Sequence, residues 1–298
     1  MDNPKVTVII VCYNHIQYLE ESIYSVVNQT YKNIEIIVAD DFSQDGSPDR
    51  LRLLSKKLNF IFLANETNIG LNETIIKASE YATGSFISIL SSDDYLDAEK
   101  IYKQIKYLLE TNKDGVYANG FSVTNEKKRK ITINPVFAQN SKTKILNYIY
   151  QYDWEAPLLQ SGLFRKNIVI DLIPLRKNFK SDDWAFLIKA YEEYDIGYMN
   201  EPLFFYRLHS TNFHRNYWLT FPMRIDIASR MVPAIYRNKT LSSIMVFQGK
   251  YLLEEKKFFS AFKFFISSLV LHVSFGNLEI MIKSTALFFR DLFFKPAS

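Results

Sequence analysis

The 298-residue sequence contains a single cysteine, Cys12, and only four histidines. One cysteine cannot form an internal disulfide or a cysteine-based zinc site, so both are excluded, and the composition fits a reducing compartment. Glycine is also scarce, with nine residues in the chain. No G-x-G-x-x-G or G-x-x-x-x-G-K-[ST] string follows the first predicted strand, which removes the main support for an ordinary dinucleotide site or a P-loop.

The sequence has no apolar run long enough for a confident membrane span and no recognisable secretory leader, and we therefore expect a cytoplasmic protein. Its net charge of +4 is unevenly distributed. Residues 219–298 hold 11 Lys and Arg against 5 Asp and Glu, a net +6, whereas residues 1–218 carry −2. The weakly acidic front of the chain argues against nucleic-acid binding there.

The basic end of the chain is rich in phenylalanine: 10 of the 24 phenylalanines follow Lys257. Residues 258–275 predict an amphipathic helix with a wide apolar face. Such a helix either packs on the rest of the protein or contacts an anionic membrane surface, and the sequence leaves both alternatives open.

The first 118 residues alternate between strand and helix patterns. The predicted strands are 5–12, 34–39, 59–63, 86–90 and 115–118. The predicted helices between them are 16–28, 49–57, 71–81 and 98–111. This alternation predicts an α/β fold with a mainly parallel sheet and helices on both faces, and the chain after residue 218 is predicted to be a helical appendage.

Polar residues follow three of these strands: Tyr13-Asn14, Asp40-Asp41 and Asp93-Asp94. Ligands of open α/β sheets bind outside the carboxyl ends of the strands, so these residues are candidate ligand contacts. Adjacent carboxylates repel each other, and Mg²⁺ or Mn²⁺ would relieve the repulsion between Asp93 and Asp94 and bridge a diphosphate. The alternative is that Asp94 caps the next helix.

The other acidic pairs allow similar alternatives. Asp40 or Asp41 can accept a hydrogen bond from a nucleobase or a ribose, or can form an Asx-turn. Asp182-Asp183 precedes an amphipathic segment, where an acid serves as a general base or as an N-cap. Arg207 and His209 stand two positions apart, and a guanidinium and an imidazole can both neutralise charge on a diphosphate.

Six strings occur in an order and spacing that resemble glycosyltransferase family 2, whose members have the GT-A fold, a Rossmann-like nucleotide-binding sheet. They are VTVIIVCYNHIQYLEESIYSVVNQTY, IEIIVADDFSQDGS, NIGLNETIIKAS, GSFISILSSDDYL, KSDDWAF and FYRLHSTN. The resemblance implies inverting transfer of a sugar from a nucleoside-diphosphate sugar, commonly a UDP-sugar, to a hydroxyl of a glycan or lipid-linked acceptor. It also implies a role in bacterial surface polysaccharide synthesis, at the inner face of the plasma membrane if the tail contacts lipid.

The resemblance also implies roles for individual residues. Tyr13, Asn14, Asp40 and Asp41 are expected to contact the donor, with the nucleobase held by Tyr13 and the acids. Asp93 and Asp94 are expected to touch the ribose and a Mn²⁺ or Mg²⁺ ion. The expected catalytic base is Asp183, with Asp182 as the second candidate, and Arg207 and His209 are expected at the diphosphate.

The sequence departs from the family pattern at four of these motifs. Val11-Cys12 stands where Pro-Thr is common, Phe42 stands where glycine is common, Ser91 replaces the first acid of the D-x-D element, and Asp182 replaces a glutamate. The serine leaves the metal one ligand short, so either Asp93 or Asp94 can be the main ligand.

The expected domains are a catalytic domain at 1–218 and a helical region at 219–298. The first divides into a nucleotide-sugar half at 1–118 and an acceptor half at 119–218. Two other functions stay open. A nucleotidyltransferase would need a glycine-rich phosphate loop, which CYNHIQ is not. A non-catalytic sugar-nucleotide or glycan-binding protein of the same fold would have no need for Asp183.

Overall fold

The computed structural model describes residues 3–124, 127–139, 141–152, 155–174, 183–210, 212 and 217–272, together with 278, 281, 282 and 285. Within these residues there are nine strands: β1 (Val6–Cys12), β2 (Ile34–Asp40), β3 (Ile61–Ala64), β4 (Phe86–Ser91), β5 (Tyr95–Leu96), β6 (Gly115–Val123), β7 (Lys128–Lys130), β8 (Leu163–Arg165) and β9 (Ile196–Arg207). The helices are α1 (Ile16–Val27), α2 (Ser47–Leu58), α3 (Leu71–Glu80), α4 (Lys100–Thr111), α5 (Lys142–Tyr150), α6 (Lys166–Leu172), α7 (Asp183–Glu193), α8 (Tyr217–Met231), α9 (Ala234–Glu254) and α10 (Phe258–Leu271).

The strands form one mixed sheet in the order β3-β2-β1-β4-β8-β6-β9-β5, with β7 paired to β6. The predicted α/β class is confirmed, and the five predicted strands correspond to β1, β2, β3, β4 and β6. Strands β3, β2, β1 and β4 are parallel to one another, whereas β8 runs antiparallel to β4 and β6. Strand β9 returns parallel to β6, which brings its end back toward the ends of the first strands.

Both faces of β1 are buried, which explains its continuous run of apolar and β-branched residues. Alternate β1 residues point to opposite faces. One set, which includes Val8 and Ile10, packs in a cluster with side chains of α1, α2 and α4. The other set includes Ile9, which is also fully buried. Both faces of β1 are therefore covered, and its carboxyl end is the part of this strand that a ligand can reach.

The chain divides into two compact units, residues 1–145 with 155–210 and residues 146–154 with 211–298. The sheet lies in the first unit. In the second, the end of α5 packs with α9: Thr240 Oγ1 donates to the carbonyl of Tyr150, and the Tyr150 and Tyr236 rings stack at 5.6 Å. The division into domains at residues 218 and 219 stays a prediction.

The last described helix of the second unit, α10, packs one face against α9. Ala261 and Phe265 of α10 form a buried cluster with Leu252 and Leu253, and Ser242 and Ser268 share a hydrogen bond of 2.8 Å. Among the residues that the structure describes, no helix combines the length and the apolar character needed to cross a membrane.

Candidate active site

The polar residues singled out in the sequence gather at the carboxyl edge of the sheet because the strands end in register. Cys12 of β1 pairs with Asp40 of β2, and Val11 pairs with Ser91 of β4. The residues that follow these strands therefore leave the sheet at one edge. In such folds this edge is where ligands bind.

Asp40 is buried and holds the loop after β2. Its two carboxylate oxygens accept hydrogen bonds from the backbone N–H and the hydroxyl of Ser43, at 2.9 and 2.6 Å. Ser43 Oγ in turn accepts the backbone N–H of Asn14 at 2.8 Å, and Asn14 Oδ1 accepts the N–H of Gln44. The loops after β1 and β2 are thus tied together. The carboxylate that was expected at the nucleobase has its oxygens engaged inside the protein.

Asp41 holds the loop before α3. It is only 3% exposed, and it accepts hydrogen bonds from the N–H groups of Ile69 and Gly70, both at 2.9 Å, and from Asn65 Nδ2 at 3.1 Å. Gly70 has a φ of 87°, a conformation that glycine adopts without steric cost. Asp41 therefore shapes the site through this loop, and its contact with a donor stays a prediction.

Asp93 lies among two histidines from distant parts of the chain. Its Oδ2 is 2.9 Å from His209 Nε2 and 3.8 Å from His15 Nε2. The ligand atoms of the three residues all lie within 4.8 Å of one another. His15 reaches this position from the loop after β1, Asp93 from the end of β4 and His209 from the segment after β9. The structure thus brings together Asp93 and His209, two of the expected site residues, with His15, which the sequence did not single out.

The donor set of His15, Asp93 and His209 suits a divalent transition metal. The spacings of 2.9 and 3.8 Å from Asp93 Oδ2 to the two imidazoles are those of ligands that share an ion at about 2.1 Å. His15 Nδ1 is hydrogen-bonded at 2.9 Å to Oγ of Ser92, which orients Nε2 toward Asp93. Metal-binding histidines are typically held in this way by a second partner. Burial, the largest cause, lowers the pKa of His15 although the Asp93 charge opposes the shift. The neutral imidazole is the form that binds metal.

Asp94, the other predicted metal ligand, lies outside this group of three. Its Oδ1 accepts the backbone N–H of Arg207 at 2.9 Å. Its Oδ2 is buried and has no hydrogen-bond partner among the described residues. Burial first, and then the negative charge of Asp93, raise the pKa of Asp94 well above its usual range, and Asp183 adds to the shift. A nearby cation or a proton would stabilise this carboxyl group.

Arg207 links β9 to the acidic pair. Its Nε donates to the Asp93 carbonyl at 2.8 Å, its Nη2 pairs with Glu21, and its guanidinium lies 4.7 Å from the Tyr18 ring centroid. These contacts hold the Asp93-Asp94 segment against β9. Arg207 is therefore well placed to position the acids, and its expected contact with a diphosphate stays a prediction.

Asp183 is the first residue of α7 and is partly buried. Its charge contributes to the raised pKa of Asp94, so the two carboxyl groups lie in one electrostatic neighbourhood. Asp183 and Asp94, which are 89 positions apart in the sequence, are thus close enough for their charges to interact. Asp182 lies outside the described residues.

Comparison with known proteins identifies the family. Residues 7–169, more than half of the chain, match the model of glycosyl transferase family 2. The chain belongs to this family. The match spans the strands β1, β2 and β4 and the loops that carry His15, Asp41 and Asp93.

Two curated relatives of this family 2 chain are bacterial. The putative glycosyltransferase EpsH of Bacillus subtilis is 26% identical over 233 residues, which cover 73% of this chain and 64% of EpsH. The Escherichia coli protein WfgD, named a UDP-Glc:alpha-D-GlcNAc-diphosphoundecaprenol beta-1,3-glucosyltransferase, is 35% identical over 142 residues. That match covers 45% of this chain and 55% of WfgD. The chain thus spans less than two thirds of the length of either relative.

Among solved structures, Staphylococcus aureus TarS 1-349 in complex with UDP-GlcNAc is similar, with a TM-score of 0.60 and 17% identity. The match covers 96% of this chain and 81% of that one. At this identity the likeness concerns the fold alone. The expected GT-A fold with C-terminal helices is confirmed.

The residue that sequence reasoning missed is His15. It stands in the string CYNHIQ, one position after two residues that were expected to contact the donor. The signal that was available is its location: two of the chain's four histidines, His15 and His209, follow strands that end at the ligand edge. Pairing them required the tertiary structure.

Proposed function

We propose that this family 2 protein is an inverting glycosyltransferase that moves a sugar from a nucleoside-diphosphate sugar to a hydroxyl of a glycan or lipid-linked acceptor. The observation that carries the proposal is the meeting of His15, Asp93 and His209 at the carboxyl edge of the sheet. A UDP-sugar is the favoured donor, because the name of WfgD specifies UDP-Glc and the TarS complex contains UDP-GlcNAc.

Asp183 is the proposed general base. It takes the proton of the acceptor hydroxyl while that oxygen forms a bond to the anomeric carbon of the sugar. The bond from the anomeric carbon to the diphosphate oxygen breaks on the opposite side, and the nucleoside diphosphate leaves with the electron pair. One displacement of this kind inverts the configuration of the carbon. The electrostatic interaction of Asp183 with Asp94 supports this role, because it relates the proposed base to the acids that follow β4.

His15, Asp93 and His209 are the proposed ligands of a divalent ion. Such an ion would neutralise charge on the diphosphate. Two imidazoles and one carboxylate form a softer donor set than the oxygen ligands expected from the sequence, and this favours Mn²⁺ over Mg²⁺. Asp94 is proposed to support the segment that carries Asp93, since one of its oxygens accepts the Arg207 N–H.

The proposed donor site extends along the loops after β1 and β2. Tyr13, whose side chain is 47% exposed, is available to contact a nucleobase. Asn14, Asp40 and Asp41 are proposed to act mainly through the loop conformation that their hydrogen bonds maintain. Arg207 and His209 are proposed to face the diphosphate.

A lipid-linked acceptor would place the protein at a membrane. WfgD carries such an acceptor in its name, diphosphoundecaprenol. In this chain the exposed face of α10 presents Phe259, Phe262, Ile266 and Val270 beside Lys263. Apolar side chains next to a cation suit the surface of an anionic bilayer. We propose that this face contacts the inner leaflet of the plasma membrane.

The test is a donor assay that separates binding from chemistry. Calorimetry with UDP, GDP, CDP and ADP in Mn²⁺, in Mg²⁺ and in EDTA identifies the nucleotide and the ion. The matching sugar nucleotides are then assayed for slow hydrolysis and, with glycan or prenyl-diphosphate acceptors, for transfer. We expect tight UDP binding in Mn²⁺, weaker binding in Mg²⁺ and loss of binding in EDTA.

Asp183→Asn provides the control for the chemistry. The variant should bind UDP like the wild type and lose roughly 10²–10⁴-fold in transfer, since that is the usual contribution of a positioned acid or base. Tight donor binding without hydrolysis or transfer in the wild type would favour the non-catalytic sugar-nucleotide binder. Equal UDP affinity in Mn²⁺ and EDTA would rule out the metal site.

A further inference from the structure

Phe42 adopts a backbone conformation that a phenylalanine normally avoids. Its φ is 66°, in the left-handed region, where a Cβ atom crowds the backbone. Its side chain is nevertheless 43% exposed, so the strain is not offset by burial of the ring. Strained residues that persist in folded proteins cluster at ligand sites. Phe42 thus lowers stability through its strained backbone, and its aromatic ring remains in contact with solvent.

The neighbours of Phe42 account for its conformation. Asp41 on one side is tied to Ile69, Gly70 and Asn65. Ser43 on the other side is tied to Asp40 and accepts the Asn14 N–H. The backbone on either side of residue 42 is therefore held by hydrogen bonds that are buried or partly buried. Glycine would meet the same backbone requirement without strain, so the phenylalanine side chain needs a separate reason.

Two more apolar side chains are exposed on the loops bonded to this one. Tyr13, on the loop after β1, is 47% exposed, and Ile69, on the loop after β3, is 40% exposed. The N–H of Ile69 donates to Asp41, and the residue after Tyr13 donates its N–H to Ser43. Three neighbouring loops at the carboxyl edge thus each present a large apolar side chain next to the proposed donor site. A planar, partly apolar group of the donor is the ligand that fits such a surface.

We propose that Phe42 packs its ring against the nucleobase of the donor and so contributes to donor affinity at the cost of local backbone strain. The inference rests on the proposed function, because it needs a nucleotide as ligand. Stacking on an aromatic side chain is tolerant of base identity, so Phe42 supplies affinity and orientation, while hydrogen bonds elsewhere select the base.

The test is Phe42→Gly, assayed by calorimetry and thermal unfolding. The ligands are the nucleoside diphosphate that the wild type binds best, among UDP, GDP, CDP and ADP, and inorganic pyrophosphate, both in Mn²⁺. We expect about tenfold weaker nucleotide binding, unchanged pyrophosphate binding, and a melting temperature at or above that of the wild type. Phe42→Tyr, which keeps the ring, should bind the nucleotide within about twofold of the wild type.

Asn59→Gly is the matched backbone control, because Asn59 also has a left-handed φ, 54°, but precedes β3 at the other end of the sheet. It should leave nucleotide affinity unchanged. If Phe42→Gly binds the nucleotide as tightly as the wild type, the inference is wrong but the proposed function is unaffected. A variant that loses nucleotide and pyrophosphate equally and also melts earlier would show a structural role and overturn it as well. If the wild type binds none of the four nucleotides, the proposed function fails together with the inference.

Discussion

Lys100, the first residue of α4, is a charged side chain that the sheet and its neighbours bury completely. Its Nζ donates to Oγ of Ser88 at 3.0 Å and to the carbonyl of Gly162 at 3.1 Å. Burial lowers its pKa from 10.5 to about 7. Among the described residues Lys100 has no carboxylate partner, and two neutral acceptors offset part of the cost of burying its charge.

The lowered pKa of Lys100 predicts that stability depends on pH. Below about pH 7 the lysine is charged in both states, and the folded state carries the full cost of burial. Between about pH 7 and 10.5 the unfolded chain binds a proton that the folded chain lacks, so the contribution of Lys100 to the free energy of unfolding becomes more favourable as pH rises. Above 10.5 its contribution is constant.

We predict that Lys100→Met stabilises the protein near neutral pH by roughly 1–4 kcal/mol, the range found when buried ion pairs are replaced by apolar side chains of similar volume. Ser88 still donates to the Gly162 carbonyl at 2.9 Å, so both acceptors keep a partner. Urea unfolding from pH 6 to 10 measures the difference, which should shrink as pH rises. A difference that stays constant with pH would show that the charge of Lys100 is not the cause.

At the scale of elements, α10 bears on two alternatives that the sequence left open: packing against the rest of the protein and contact with a membrane surface. Its buried face carries Ala261, Phe265 and Ser268. Phe265 packs so close to α9 that a Cβ atom on Gly249 would lie 2.4 Å from its ring. The opposite face leaves Phe259 84% exposed and Val270 81% exposed. Part of the phenylalanine-rich segment is therefore core, and the other part is available for an interface.

We predict that the double variant Phe259→Ser and Phe262→Ser binds anionic liposomes at least roughly tenfold more weakly than the wild type, because each ring loses its burial in the bilayer. Its melting temperature should be unchanged, since both side chains are exposed. Flotation with phosphatidylglycerol and phosphatidylcholine vesicles, at low and high salt, makes the measurement. High salt should weaken binding to the anionic vesicles.

Phe265→Ala is the matched control for α10, because it removes a ring from the packed face. It should lower the free energy of unfolding by about 3–5 kcal/mol, as expected for a buried phenylalanine. A wild-type protein that never floats with anionic vesicles would exclude the membrane surface as a partner, whatever the variants do.

At the scale of the whole molecule, every described residue of the candidate site belongs to the first compact unit, residues 1–145 with 155–210. The second unit has its own buried side chains, including Leu252 and Phe265. A chain with two such units need not unfold in a single two-state transition. A ligand that binds only one of them stabilises that unit by mass action.

We predict that scanning calorimetry resolves two transitions and that UDP with Mn²⁺ raises only one of them. At a ligand concentration of about 100 Kd the stabilisation is about 2.7 kcal/mol, which for a unit of this size corresponds to a shift of roughly 5–10 °C. The Asp93→Asn variant should show both transitions without this shift. A single transition that moves as a whole would contradict independent unfolding of the two units.

The sequence by itself determined the class of the fold and the edge of the sheet where the site lies. The alternation of strand and helix patterns predicted a mainly parallel sheet with helices on both faces, and polar residues directly after strands predicted the ligand edge. These signals are local, since each depends on residues within about one element. The ordered family motifs added the GT-A fold, which the comparisons confirm.

The tertiary structure decided which of these side chains meet. His15, Asp93 and His209 come together because β1, β4 and β9 end at one edge, and no local pattern relates positions so far apart. The sequence showed two carboxylates at Asp40-Asp41 but not that both are buried in hydrogen bonds to loops. The same holds for Lys100, whose complete burial no local pattern indicates. Burial and charge proximity arise from packing between distant segments, and they set the chemistry of each group.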